Sequence, residues 1–106
     1  MIVYGIKTCD TVRKALRALE AAGHAPVLRD VRTEPLSAAE IAEFSAAFGE
    51  KLINRSSTTW RGLDEAERAR PMAELLAAHP TLMKRPVIRG RSLTLGWDRA
   101  AQDAQL

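Results

Sequence analysis

The sequence predicts a mixed α/β domain, and three observations carry that expectation. An apolar N-terminal run feeds directly into helical spacing, a second strand-and-helix pair follows, and the C-terminal quarter reads as a hairpin leading into a helix. Ile2–Ile6 is apolar throughout, as a buried strand is. Val12, Ala15, Leu16, Leu19 and Ala22 then recur at helical spacing, and Gly23 is placed to end that helix. Pro26–Val31 reads as a second strand centred on Val27 and Leu28. Ser37 with Glu40 forms a capping box ahead of Ile41, Phe44 and Phe48, and Gly49 stops the run. A short crossover helix between two strands implies parallel pairing with a right-handed connection.

The middle is less regular. Asn54 to Arg61 is polar and too mixed for a plain turn, Asp64 with Glu67 marks a helix start, and Pro71 fits the first turn of a helix through Met72, Leu75 and Leu76. His79-Pro80 closes that stretch, so residues from about 50 to about 83 are expected to form a helical insertion. Val87–Arg89 and Ser92–Leu95 flank Gly90 as short strands, and Asp98 is the expected cap of a terminal helix. The order is therefore β-α-β-α, helical insert, β-β-α: one domain, residues 1–106, with helices on both faces of a mixed sheet.

Composition narrows the function classes. A chain of 106 residues with 46% apolar and 27% charged residues is that of an ordinary globular domain able to bury a core unaided. The single cysteine allows no internal disulfide, and no Cys/His cluster offers a zinc site, which suits a reducing, cytoplasmic setting. The N-terminal run lacks a basic leader and a cleavage site and reads as a strand rather than a signal peptide. No apolar run approaches the roughly 20 residues of a membrane span. The net charge of +3 is mild, and Tyr4, Phe44, Phe48, Trp60 and Trp97 are scattered. A dense basic stripe with stacking aromatics is absent, so neither nucleic acid nor a membrane is an expected partner. A few arginines gathered at one anion site account for the bias equally well. The apolar residues are absorbed by core periodicity, so a monomer is expected.

Cys9 carries the chemistry. It follows the first strand and opens the first helix, where free N–H groups and the helix dipole favour a thiolate. Lys7 and Arg13 add positive potential nearby, and Thr8, Asp10 and Thr11 supply polar side chains around the same turn, with Thr8 or Cys9 as the cap. A lone cysteine is more often a small buried hydrophobe; its position at the helix start reverses that weighting. Val12 stands where a Cys-x-x-Cys motif has its second cysteine, so a resolving thiol has to come from elsewhere, and glutathione is the obvious source. The second constellation is Lys84-Arg85-Pro86-Val87. Pro86 reads either as edge punctuation or as a cis-proline shaping a site, and Arg85 and Arg55 either as solvated cations or as guanidinium forks for an anion beside the thiolate. His24 and His79 read as solvent-facing or helix-end residues.

Three blocks, Tyr4-Gly5-Ile6-Lys7-Thr8-Cys9-Asp10-Thr11-Val12-Arg13-Lys14-Ala15-Leu16, Leu52-Ile53-Asn54-Arg55 with Thr58-Thr59-Trp60-Arg61, and Lys84-Arg85-Pro86-Val87, resemble the arsenate reductase (ArsC)/Spx family, and most closely its short YffB branch. The resemblance implies a thioredoxin-like sheet with a helical insert and a nucleophilic Cys9. It also implies oxyanion-binding arginines at Arg55 and Arg85, a cis-proline at Pro86 and a role at the thiol loop for Arg13. In arsenate reductases of this family a thiolate–arsenate adduct is resolved by glutathione and glutaredoxin. The chain departs from their Cys-Gly-Thr-Ser-Arg-type loop with Cys9-Asp10-Thr11-Val12-Arg13, and Val12 removes the Cys-x-x-Cys switch of the Spx regulators.

The expected function is a glutathione-dependent monothiol reductase acting on a disulfide or a small anionic oxidised substrate. Cys9, Arg55 and Arg85 are its expected catalytic residues. Lys7, Thr8, Thr11, Arg13 and Pro86 are expected to bind substrate or glutathione. No metal or resident cofactor is expected, glutathione being a co-substrate and glutaredoxin a candidate partner. The alternative is a Spx-like regulator that binds RNA polymerase or another protein without turnover.

Overall fold

The computed structural model describes all 106 residues, and their contacts divide the chain into two compact units, Met1–Thr33 with Arg85–Leu106, and Glu34–Lys84. In the first unit, strands β1 (Ile2–Gly5), β2 (Val27–Asp30), β3 (Val87–Arg89) and β4 (Leu93–Leu95) form one sheet in the order β2-β1-β3-β4. β1 pairs with β2 in parallel and with β3 antiparallel, and β3 pairs antiparallel with β4. With its helices this is the expected thioredoxin-like mixed α/β fold. The parallel pair requires the crossover supplied by helix α1 (Asp10–Ala21), as the sequence spacing predicts.

Alternation along the strands sets the core. Val3 pairs with Leu28 on one side and Ile88 on the other, so all three point to one sheet face. Val12, Ala15 and Leu19 of α1 cover that face and complete a core with Val3 and Ile88, each fully buried. The helix lies close to β1 because Gly5 has no side chain: a Cβ there would sit 2.5 Å from Val12 Cγ2. Gly23, at φ +91°, ends α1 as expected, with His24 N–H donating to Leu19 O and Gly23 N–H to Glu20 O, both at 3.0 Å.

The C-terminal helix α6 (Arg99–Gln105) is capped by Asp98, whose carboxylate accepts from Ala101 N–H at 2.9 Å. Its last residue, Gln105, is fully buried and ties up the β3–β4 turn. Its amide donates to Ser92 O at 2.8 Å, Thr94 Oγ1 at 2.9 Å and Ile88 O at 3.3 Å, and its oxygen accepts from Arg91 N–H at 3.2 Å. Gly90 leaves the room this requires, since a Cβ would lie 2.5 Å from Gln105 Oε1.

The second unit is helical. It takes in α2 (Ala38–Phe48), α3 (Thr58–Arg61), α4 (Glu65–Arg68) and α5 (Met72–Ala78), with 3-10 turns at Gly49–Leu52 and Pro80–Leu82. The capping box at α2 forms as expected: Ser37 Oγ accepts from Glu40 N–H at 3.1 Å, and the Glu40 carboxylate accepts from Ser37 N–H at 2.8 Å. The polar stretch from Asn54 resolves into a side-chain turn at Asn54 and an N-cap at Ser57, each replacing backbone partners the short helix lacks. Asp64 caps α4. No helix of the protein is long and apolar enough to cross a membrane.

Candidate active site

β1 delivers the chain to a tight turn over Lys7 and Thr8, closed by Cys9 N–H donating to Ile6 O at 3.0 Å. Cys9 is then the N-cap of α1. Its backbone is extended, at φ −80° and ψ 123°, and its carbonyl accepts the first helical bond from Arg13 N–H at 3.0 Å. The helix start thus offers the unsatisfied N–H groups of Thr11 and Val12 to the Cys9 sulfur. The cysteine is half-buried, resting against the core of Val3, Val12 and Ile88. That burial pushes the thiol up. It is outweighed by the Val12 N–H, by hydrogen bonding and charge from the Arg85 guanidinium, and by the Thr11 N–H, which together hold the thiol below its ordinary value.

Arg85 arrives from the far end of the chain, on the segment entering β3. The Arg85–Pro86 peptide bond is cis. Pro86 is buried, and its carbonyl accepts from Gly96 N–H at 2.8 Å.

Two residues that sequence reasoning passed over hold the thiol loop in place. Asp30 closes β2, opposite Gly5 in the parallel register, and is largely buried. Its Oδ2 accepts from Lys7 N–H at 3.0 Å and its Oδ1 from Arg32 N–H at 2.9 Å. The Lys7 N–H first, then the N–H and charge of Arg32, hold the Asp30 carboxyl below the usual carboxylate range against the opposing effect of burial. Arg32 Nη2 in turn donates to Thr8 Oγ1 at 3.2 Å. The one available signal was positional: parallel neighbours end at the same sheet edge, so an acid closing β2 faces the turn that follows β1.

The remaining expected residues divide. Lys7, Thr8 and Thr11 are exposed around the thiol loop. Arg13 Nη2 donates to Thr8 O at 3.0 Å and to Asp10 Oδ1 at 3.2 Å, so its guanidinium braces the loop from outside and draws the exposed Asp10 carboxylate to itself. Arg55 belongs to the second unit. There its guanidinium donates to the Glu50 carboxylate and lies 5.3 Å from the Trp60 ring, with Arg68 at the same distance. These groups line a cavity of about 110 Å³ together with the buried Ile53 and Leu75. The first unit therefore gathers Cys9, Arg85, Thr8, Thr11, Lys7 and Arg13 around one turn, and Arg55 is held by its own unit's partners.

The model of the ArsC family matches residues 4–104. The chain belongs to the ArsC family. This ArsC-family protein is 42% identical to an uncharacterized protein of Haemophilus influenzae, across 81% of its own length and 80% of the relative's. Its fold superimposes on that of the YFFB protein with a TM-score of 0.89 and 33% identity, covering 99% of this chain and 97% of the other. It is also similar to an arsenate reductase (ArsC) related protein from Brucella melitensis, with a TM-score of 0.73 and 37% identity over 97% of this chain and 91% of that one. The half-buried cysteine at the first helix start is thus set in an ArsC-type chain from end to end.

Proposed function

We propose that this protein is a glutathione-dependent monothiol reductase with Cys9 as its nucleophile. The observation that carries the proposal is Cys9 at the N-cap of α1 with the Arg85 guanidinium beside it, an arrangement that favours the thiolate more than in a free cysteine. The thiolate attacks one sulfur of a disulfide R–S–S–R′; the Cys9–S–S–R bond forms, the S–S bond of the substrate breaks, and R′S⁻ leaves and takes up a proton. Because Val12 stands where a resolving cysteine would be, the mixed disulfide has no internal partner. A glutathione thiolate attacks R's sulfur, returning Cys9 to thiolate and releasing R–S–S–G. A second glutathione reduces that product, so two glutathiones are oxidised to glutathione disulfide for each disulfide reduced.

The relatives' names point to arsenate as an alternative electrophile. In this chain Asp10 follows the thiol directly and engages Arg13, which removes a cation from the loop. A disulfide is the substrate class proposed for that reason. Turnover of bis(2-hydroxyethyl) disulfide with glutathione, followed as glutathione disulfide formed, tests it, with arsenate assayed beside it. Cys9→Ser is expected to lose all protein-dependent turnover; a variant retaining full activity defeats the proposal.

A further inference from the structure

We infer that Arg32 forms a carboxylate subsite at the mouth of the thiol loop, selecting disulfides that carry a carboxylate close to the reacting sulfur. This deepens the function proposed above and rests on it for the reaction. Arg32 lies two residues beyond β2 and has no part in the sheet or core. Its position is nevertheless set from two sides. Its own N–H is held by Asp30 Oδ1 at 2.9 Å, and its Nη2 donates to Thr8 Oγ1 at 3.2 Å, on the residue immediately before the nucleophile.

Asp30 fixes this guanidinium without consuming it. The carboxylate oxygens accept the N–H groups of Lys7 and Arg32, and the ionic contact from Arg32 Nε to Oδ1 is 3.9 Å, well beyond the 2.7–2.9 Å of a charge-assisted hydrogen bond. The Arg32 side chain remains 43% exposed. A guanidinium with a planar donor fork, restrained beside a nucleophile and open to solvent, is suited to a carboxylate held in one orientation. Arg85 serves the sulfur itself and Arg13 is engaged with Asp10, so among the arginines of the loop Arg32 is the one placed to meet a substrate carboxylate; Lys7 is exposed there too but lacks a donor fork. It acts on docking rather than on thiol activation.

Two alkylating probes of similar size separate charge from reactivity. Iodoacetate and iodoacetamide both form a carbon–sulfur bond with Cys9 and expel iodide, and only the first carries a carboxylate. The ratio of their rates cancels the thiolate fraction. Arg32→Gln is expected to lower the iodoacetate/iodoacetamide ratio by about three- to tenfold, as for one cation near the reacting centre. Arg17→Gln, the same charge change on the exposed side of α1, is expected to leave the ratio unchanged. An unchanged ratio in Arg32→Gln overturns the inference. So does an equal fall in Arg17→Gln. Alkylation needs only a thiol, so failure of the reductase shows separately: an Arg32-dependent ratio without disulfide turnover removes the reductase and keeps the subsite, and turnover with an unchanged ratio does the reverse.

Discussion

Cys9 illustrates how much a single residue's place in the chain reveals. Strand, two-residue turn and helix start are all visible in the sequence around it, and the physical consequence follows from the N–H groups that any helix leaves free. Arg85 adds what that local pattern lacks, a positive charge brought from 76 residues away in sequence. Removing it tests the electrostatics. Arg85→Gln is expected to move the midpoint of the pH–alkylation profile upward, because the thiolate loses its cation and the neutral thiol does not. At pH 7 the iodoacetamide rate should fall by about an order of magnitude, the weight of one charge-assisted hydrogen bond. An unmoved midpoint would assign the thiol's activation to the helix start alone. Asp30 and Arg32 were not legible in the same way. An acid at the end of a strand is ordinary, and it becomes a brace only when the parallel register sets it opposite the turn leaving Gly5.

Among the elements, α1 shows how the site depends on packing beneath it. Cys9 caps the helix, half-buried, while Val12, one turn on, presses against Gly5 of β1. Gly5→Ala is expected to cost about 1–3 kcal/mol, because the new methyl overlaps Val12 Cγ2 in a packed core. In a Val12→Ala background the same change should cost much less, a non-additivity that a double-mutant cycle in urea would register. Equal costs in both backgrounds would show that the close approach does not constrain the helix. The capping residues Ser37, Asp64 and Asp98 were all legible, because a short polar side chain before an apolar helical spacing serves the same local geometry wherever it occurs. Gln105 was not. A glutamine near a terminus reads as surface, yet here it satisfies four backbone or hydroxyl partners of the β3–β4 turn.

Across the whole molecule, acid is the condition that reads these carboxylates together. Asp30 in the first unit and Glu67 in the second are both held below the usual carboxylate range, Glu67 by His79 and then Arg70. A carboxyl with a depressed folded-state value binds fewer protons folded than unfolded. Its stabilisation is therefore present above the ordinary carboxyl value near 4 and is lost as pH falls through the lower folded value. Urea unfolding between pH 7 and pH 3 is expected to show stability falling below about pH 4. Asp30→Asn, which cannot ionise, should start lower and lose less over the same interval. A variant with the wild-type acid dependence would exclude Asp30 as a contributor.

The sequence by itself determined the order of strands and helices, the caps at Ser37, Asp64 and Asp98, and Cys9 as the one candidate nucleophile, because each rests on spacing or on chemistry within a few neighbours. For Arg85 and Pro86 the residues left two readings open, and the family likeness favoured an anion-binding arginine and a cis-proline. Tertiary structure alone decided which partner each cation takes within its own unit. It sets Arg85 against Cys9, commits Arg13 to Asp10, keeps Arg55 with Glu50 and Trp60, and brings Arg32 to Thr8 through Asp30. An arginine's charge is the same wherever it stands in a sequence. What it does is fixed by the partner that reaches it, and that partner is chosen by register and packing.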